Sequence, residues 1–317
     1  MRATDADKIA ITIVVLSHNR RGILSGLLEE LSCIRRSDVE VMVVDNGSHD
    51  GTADMIRERF GDVRLVALGE NLGAVGRNRG ISLARGRYIV TIDDDILGLD
   101  DAALDNIQNL FERDQQIGAI CFKVIDHSTG NVCNWCHPNR PEDSAERSFQ
   151  TTEIPEGAVA FRTEMLGKTG LYTEDFFISH EGADLAARIL NMGYRIYYSP
   201  LICVKHKYAD IARDKWRRYY YDTRNDFWLV IRNYRFYLGI NHLLRRLPAT
   251  FIYSVRDGYL RFWVKAVGHA LVELPRILRQ RQALSVEADR KMRYLNRGRP
   301  GLAYYFQKRF PSKQVRI

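Results

Sequence analysis

Short apolar runs and amphipathic stretches take turns along the first two thirds of the chain. Ile9–Leu16 is a continuous aliphatic run, the pattern of a strand buried on both faces. Arg21–Ile34 then carries Ile23, Leu24, Leu27, Leu28 and Leu31 at helical spacing. The alternation repeats: strand Val39–Val44, helix Thr52–Phe60, strand Val63–Leu68, helix Val75–Ala84, strand Tyr88–Ile92, helix Asp100–Arg113. Gly118–Val124 reads as a fifth strand, and Pro155–Arg162 as a short one. A helix running to Asn191 follows, and then two strands, Tyr194–Tyr198 and Ile202–Lys207, separated by Pro200. Between them, Asp126–Gln150 is polar and irregular, a surface excursion. Strand–helix alternation predicts an α/β fold with a mostly parallel central sheet flanked by helices. In such sheets ligands bind beyond the carboxyl ends of the strands. Ser17–Arg20, Asp45–Gly47 and Asp93–Asp95 are therefore expected to meet in one crevice.

The strand Tyr88–Ile92 ends directly in Asp93, Asp94 and Asp95. Carboxylates at the end of a buried strand are costly unless something pairs with them. A hard divalent cation is the natural partner, and alternate side chains of the trio can share it. The other reading is a solvated acidic turn leading into the next helix. Gly73, Gly76 and Gly80 do not form a dinucleotide fingerprint, and no phosphate-loop motif is present, which argues against a nicotinamide enzyme.

Charge changes the picture for the last third. The 317 residues carry a formal charge of +8, and residues 211–317 are dense in Arg and Lys. That favours an anionic partner: nucleic acid, anionic lipid or a phosphorylated substrate. Met1–Lys8 is polar, so no signal peptide is expected, and no apolar run approaches the ~20 residues of a spanning helix. Five irregularly spaced cysteines point to a reducing, cytoplasmic compartment. Cys133-Asn-Trp-Cys136-His137 matches a haem-attachment pattern and half of a zinc site; without a second Cys pair it reads as surface insertion.

Six stretches, in order, resemble the family 2 glycosyltransferases, which have the GT-A fold. They are Val14–Arg20, Val43–Thr52, Asn71–Gly80, Asp93–Asp95, Phe176–Leu185, and Gly193–Ile196 followed by His206. The resemblance covers Ile9–Tyr234 and is nearest to rhamnosyltransferase-like and galactofuranosyltransferase-like members. It implies a donor site formed by Ser17, Asn19, Asp45, Asn46, Arg77, Asn78, Asp93 and Asp94. Asp45 would bond the nucleoside base, although an Asx-turn carboxylate looks the same in sequence. Arg77 and Asn78, near a helix start, would face a diphosphate. Asp93 and Asp95 would be the outer acids of an Asp-x-Asp motif, and His206 a third ligand of Mg2+ or Mn2+. Many members carry Glu-Asp where this chain has Glu181-Gly182, and that Asp is taken as the base. Here Glu181 is the first choice for the base, with Asp184 one turn on as the alternative; Glu181 could also be a plain helix-start carboxylate.

These residues imply an inverting, metal-dependent glycosyltransferase. It would use a nucleoside diphosphate sugar, UDP- or dTDP-linked, and a glycan or lipid-linked acceptor, not nucleic acid. Residues 1–210 are expected as the catalytic domain and 211–317 as a helical basic extension. In the extension, Ile252, Val255, Tyr259, Phe262, Trp263, Ala266, Val267, Ala270, Leu271 and Leu274 share one helical stripe with Arg and Lys off it. That stripe suits either an anionic membrane surface or the protein's own core. Aromatics among Arg in 210–238 have the composition of a single-strand binder, but the six stretches favour packing. Two further readings stay open: a catalytically dead glycan-binding relative, which Gly182 permits, and a sugar-1-phosphate nucleotidyltransferase, for which Ser17–Arg20 lacks glycine.

Overall fold

The computed structural model describes residues 9–208 and 215–301. The boundary expected at 210/211, Arg213 and the basic residues beyond 301 lie outside the described residues. The chain opens with β1 (Ile11–Ser17), α1 (Arg21–Leu31), β2 (Val39–Asp45), α2 (Thr52–Arg59) and β3 (Arg64–Ala67). A single 3-10 turn, Gly73–Gly76, leads into α3 (Arg77–Leu83), then β4 (Tyr88–Asp93), β5 (Ile96–Leu97) and α4 (Asp101–Arg113). β6 (Ile117–Asp126), α5 (Pro141–Ser144), β7 (Phe149–Thr151), β8 (Ala158–Arg162) and α6 (Thr163–Thr169) follow. α7 (Glu181–Asn191) and β9 (Arg195–His206) complete the sheet region. Among the described residues, five α-helices come last: α8 (Lys215–Asn233), α9 (Phe236–Arg256), α10 (Leu260–Val272), α11 (Leu274–Arg279) and α12 (Val286–Leu295).

The strands form one sheet in the order β3-β2-β1-β4-β8-β6-β9-β5, with β7 pairing β9. β3, β2, β1 and β4 are parallel, as the alternation predicts. From β4 onward the sheet is mixed: β8 runs antiparallel to both β4 and β6, β6 and β9 are parallel, and β5 and β7 pair antiparallel with β9. The two strands expected around Pro200 are one. Pro200 sits where the register with β6 shifts between Phe122 and Lys123. A bulge accommodates a residue that cannot donate to the ladder. β5, β7 and α6 are too short to show a hydrophobic period.

Each face of the sheet has a core. Ile11, Ile13 and Val15 of β1 face Leu24, Leu27 and Leu28 of α1 and Leu104, Ile107 and Phe111 of α4. Val14 of β1 and Val44 of β2 face the other way, toward Ile81 of α3 and, further across, Leu185 and Ile189 of α7. α3 lies very close to the sheet. A Cβ on Gly80 would stand 2.5 Å from Val14 Cγ1 and 2.8 Å from Val44 Cγ2, so the close approach requires glycine. This second core continues without a break into Trp228 and Leu229 of α8, Ala270 of α10, Ile277 of α11 and Met292 of α12.

The long apolar stripe expected across 251–274 is broken. α9 ends at Arg256, Gly258 turns the chain with φ 78°, and α10 starts at Leu260. Much of the stripe faces α8: Phe262 stacks on Trp216 with ring centroids 4.9 Å apart, Tyr259 stacks on Tyr219, and Ala266 and Ala270 are buried. Tyr219, Arg224 and Trp228 of α8 turn inward too, with Arg224 packed 4.0 Å over Trp228, while Lys215 and Arg217 stay exposed.

Candidate active site

β1, β2 and β4 end side by side, which brings Ser17, Asp45 and Asp93 to one edge of the sheet. The three aspartates after β4 do not share one fate. Asp94 points inward, where its carboxylate accepts from Ser17 Oγ at 2.8 Å and Arg20 Nη1 at 2.8 Å. Burial raises its pKa to about 6, against the pull of Arg20. Arg20 Nη1 also reaches Asp95 Oδ2 at 2.7 Å. Asp95 is buried as well; burial would raise its pKa, but His206 and Arg20 outweigh it and hold the group below its usual value. Asp93 stays one third exposed and is ion-paired with Arg77 of α3.

His206, at the end of β9, sits with Nε2 3.4 Å from Asp95 Oδ1. That oxygen is buried and has no hydrogen-bond partner. Two donors bound at ~2.1 Å to one octahedral cation lie about 3 Å apart, so this orphaned oxygen and the imidazole fit a divalent ion. Asp93 does not close around the same point: its Oδ1 is taken by Arg77, and the three groups do not form a compact cluster among the described residues. Two protein ligands with phosphate oxygens completing the shell match the way magnesium is usually held.

The other donor-side residues divide. Asp45 is buried at the end of β2 and accepts from Ser48 N at 3.1 Å, the Asx turn that its sequence also permitted. Asn19, in the left-handed region at φ 51°, accepts from His49 N at 2.8 Å and so ties the loop after β1 to the loop after β2. Asn46 spends both ends of its amide inside the protein: Nδ2 donates to Gly73 O at 2.9 Å and Oδ1 accepts from Leu72 N at 2.9 Å. Asn78 does the same with Tyr172, donating to its carbonyl at 2.7 Å and accepting from its N–H at 3.1 Å. Asn46 and Asn78 therefore pin loops, while Arg77 alone of its pair reaches the acidic edge.

On the far side of the crevice lies the start of α7. Phe177, Ser179 and His180 all have positive φ, between 61° and 72°, unusual for residues with side chains. α8 holds this strained turn. Asn225 Nδ2 lies 2.8 Å from Ile178 O and 2.6 Å from Ser179 O, and Arg224 Nη2 donates to Phe176 O at 3.1 Å. Ala74 N donates to Phe177 O at 2.6 Å, joining the turn to the loop before α3. The result is that Glu181 is placed 1% exposed, with both carboxylate oxygens lacking a hydrogen-bond partner. Burial raises its pKa to about 7; Arg77 opposes the shift and Asp93 adds to it.

Asp184 is not available for chemistry, which corrects its candidacy as the base. It is fully buried and saturated. Oδ2 accepts from Thr173 Oγ1 at 2.7 Å and Arg188 Nη2 at 2.9 Å; Oδ1 accepts from Asn233 Nδ2 at 2.7 Å and Arg232 Nε at 3.2 Å. Burial favours its neutral form, but Arg188 and Arg232 prevail and keep its pKa below the usual range. Three residues after Glu181, it faces α8 instead of the crevice.

A family model described as Glycosyl transferase family 2 matches residues 12–170, half of the chain. The chain belongs to glycosyl transferase family 2. Among curated family relatives, it is 35% identical over 116 residues to a succinoglycan biosynthesis protein, ExoO, of Rhizobium meliloti, covering 36% of this chain and 32% of that one. It is 21% identical over 192 residues to the O-antigen chain rhamnosyltransferase WbaN of Salmonella anatum, covering 57% and 60%. This chain thus spans less than two thirds of the length of either relative. A mannosyltransferase of Pyrobaculum calidifontis, solved with GDP-Man and Mn2+, superposes with a TM-score of 0.53 at 21% identity over 88% of this chain and 74% of that one. The fold is therefore that of the GT-A glycosyltransferases.

In this family 2 chain, Arg20 has no role among the residues that the resemblance implies, yet from the turn after β1 it pairs with two of the three aspartates after β4. Two other groupings are structural. His137 donates or accepts with Thr151 Oγ1 at 2.9 Å within a buried aromatic cluster, with no metal-like convergence of the nearby cysteines among the described residues. His180, Asp226 and His242 do converge. Their Nε2 atoms, however, lie 2.9 and 2.7 Å from Asp226 Oδ1, hydrogen-bond distances, and Arg246 Nε lies 3.2 Å from both Asp226 oxygens. The cluster is a satisfied charge network that anchors His180 to α8.

The saturation of Asp184 sets an expected outcome. Asp184→Asn leaves two largely covered guanidinium groups short of charge and should cost about 3–5 kcal/mol in urea unfolding at neutral pH. The difference should shrink as pH falls below about 4, where the wild-type carboxylate is itself protonated in the unfolded chain and then in the folded one. A loss under about 1 kcal/mol contradicts the assignment.

Proposed function

We propose that this chain is a metal-dependent, inverting glycosyltransferase that moves a sugar from a nucleoside diphosphate donor to a hydroxyl of a glycan or lipid-linked glycan. The observation that carries this reading is Glu181. It is a buried carboxylate with no hydrogen-bond partner, within the electrostatic reach of the Arg77–Asp93 pair at the donor edge. A base and a diphosphate site in one crevice are the two parts a single displacement needs.

In this reading Asp45 meets the nucleoside, Arg77, paired with Asp93, lies beside the diphosphate, and Asp95 with His206 would hold the cation, Mg2+ or Mn2+. When bound, the cation supplies positive charge that neutralises the departing diphosphate. Arg20 keeps Asp94 and Asp95 oriented and lowers the cost of burying them together. Glu181 takes the proton of the acceptor hydroxyl as its oxygen bonds to the anomeric carbon. The bond from that carbon to the diphosphate breaks on the opposite face, and the electron pair leaves with the phosphate. UDP- and dTDP-sugars remain the proposed donors. The relatives named for succinoglycan and O-antigen synthesis support a polysaccharide or lipid-linked acceptor.

The helical region from α8 onward is proposed as an appendage to the catalytic unit that meets an anionic membrane surface. No helix among the described residues is long and apolar enough to cross a membrane. α9 instead exposes Phe236 (83%), Tyr237, Ile240, Leu244 (65%), Phe251 and Val255 along its outer side. Phe236–Arg256 and Leu260–Val272 contain no Asp or Glu; Arg246 and Arg256 are ion-paired with Asp226 and Asp257, while Arg245, Arg261 and Lys265 add positive charge. Exposed apolar area with basic charge in the same two helices suits an interfacial segment at anionic lipid.

Two outcomes are expected. Turnover of a nucleoside diphosphate sugar should rise with pH through about 7 as Glu181 ionises, then level off. Glu181→Gln should lower turnover by roughly 10²–10⁴-fold with an unchanged melting temperature; wild-type turnover in that variant sinks the base assignment. Separately, the protein should sediment with vesicles containing phosphatidylglycerol, less with phosphatidylcholine alone, and be released by salt. Leu244→Glu should weaken that binding, and equal recovery on both vesicle types removes the electrostatic part of the proposal.

A further inference from the structure

The segment entering β8 carries a carboxylate that the six sequence stretches do not include. Residues 154–157 run between Asp93 and the first turn of α7, with glycine at both contacts. A Cβ on Gly157 would lie 2.5 Å from Asp93 Oδ2. One on Gly182 would lie 2.7 Å from Ile154 O and 2.9 Å from Glu156 Cγ. Gly182 N donates to Glu156 Oε1 at 3.3 Å. The Glu156 side chain therefore fills the space that a side chain at position 182 would need, and it brings a second carboxyl group next to Glu181. Asp93 N donates to Gly157 O at 3.2 Å, so the same segment is fastened to the acidic edge.

This arrangement leaves one question of hydrogen-bond accounting. Both oxygens of Glu181 are buried without a donor. An ionised carboxylate in that position is costly unless a neighbour donates to it. Two adjacent carboxyl groups resolve the problem by sharing a proton, one remaining neutral. Glu156 is suited to be the neutral member. Its Oε1 accepts from the Gly182 N–H, which leaves Oε2 to carry the proton. The charged and titratable groups facing the pair are Arg77 on α3, Asp93 at the end of β4, His180 just before α7, the Tyr172 hydroxyl and, beside Glu156, the Cys136 thiol. Burial, with Glu181 adding to it, favours the neutral form of Glu156 strongly.

We propose that Glu156 is the positioning residue of the base: its neutral carboxylic acid donates a hydrogen bond to one oxygen of Glu181 and leaves the other to receive the acceptor's proton. This rests on the glycosyltransferase reading above. No extra co-reactant is needed. The acceptor O–H bond breaks, its proton passes to Glu181, and Glu156 keeps its own proton throughout.

The test compares Glu156→Gln, whose amide can still donate, with Glu156→Met, which has similar bulk and no donor. Turnover is read as release of nucleoside diphosphate from UDP-glucose, GDP-mannose and dTDP-rhamnose with Mn2+, across pH 5–9 and beside melting curves. Glu156→Gln should stay within about threefold of wild type and keep its pH limb. Glu156→Met should lose about 10- to 100-fold, the worth of a hydrogen bond to a charged group. Its rising limb should move to higher pH, because an ionised Glu181 without a donor is harder to form. Glu156→Met matching wild type in rate and limb overturns the proposal. So does Glu156→Gln falling as far as Glu181→Gln, since Glu156 would then act as an ionised base itself. A second measurement needs no donor sugar: infrared spectra at pH 9, where Glu181 is ionised, should show a protonated-carboxyl band that Glu156→Gln removes and Glu181→Gln retains. A wild-type spectrum identical to that of Glu156→Gln overturns the pairing. If the wild type releases nucleoside diphosphate from none of the three sugars while the band behaves as stated, the failure lies with the transfer reading and not with the pair.

Discussion

Placing three consecutive carboxylates at the end of a buried strand is the constraint on which the rest of this crevice depends. The protein meets it with two guanidinium groups. Arg20 reaches Asp94 and Asp95 from the turn after β1, and Arg77 reaches Asp93 from the first residue of α3. Each arginine arrives from a different strand–helix connection, so the parallel order β2-β1-β4 is a requirement of charge balance as well as of packing. What the arginines leave unpaired is as informative as what they bind. Asp95 Oδ1, beside His206, has no hydrogen-bond partner. His206 supplies the remaining positive charge: burial opposes it, but Asp95 lifts its pKa to about 9, so a divalent cation bound here would take the place of that proton.

The opposite wall is governed by a different balance. Positive φ at Phe177, Ser179 and His180 costs conformational energy of order 1–3 kcal/mol each. The turn persists because α8 over-determines it. Asn225 and Arg224 hold its carbonyls, and Asp226 holds His180 within a network completed by His242 and Arg246. Asp184 then locks the helix that follows to Arg232 and Asn233. The C-terminal helices are thus part of the machinery that presents Glu181, and they share one apolar core with the sheet.

Much of this was legible in the chain. The β1–α1–β2–α2–β3 alternation and the convergence of Ser17, Asp45 and Asp93 follow from hydrophobic period and from where ligands bind in parallel sheets. The parallel half was therefore readable, whereas the pairing of β8 and β5 is set by tertiary contacts that leave little trace in runs of five and two residues. Asn46 and Asn78 carry the same side chain whether they face a ligand or a carbonyl, and only the surroundings show that they pin loops. Asp184 and Glu181 are three apart in sequence yet have opposite fates, because Arg188 and Arg232 bond one directly, while no guanidinium bonds the other. Glu156 had no local signal at all: its meaning depends on the missing side chain at Gly182, twenty-six residues away. The apolar stripe of 251–274 was real in composition but divided by the turn at Gly258, which sends one part to α8.

The central claim is that the edge of the sheet at Asp95 and His206 binds a divalent cation together with a nucleoside diphosphate. A crystal grown with Mn2+ and UDP, with data collected at the manganese absorption edge, tests it most directly. The account predicts an anomalous peak within bonding distance of Asp95 Oδ1 and His206 Nε2, with the diphosphate on the Arg77 side and the base toward Asp45. A peak at His180, Asp226 and His242 instead, or UDP bound away from the carboxyl ends of β1, β2 and β4, would contradict it.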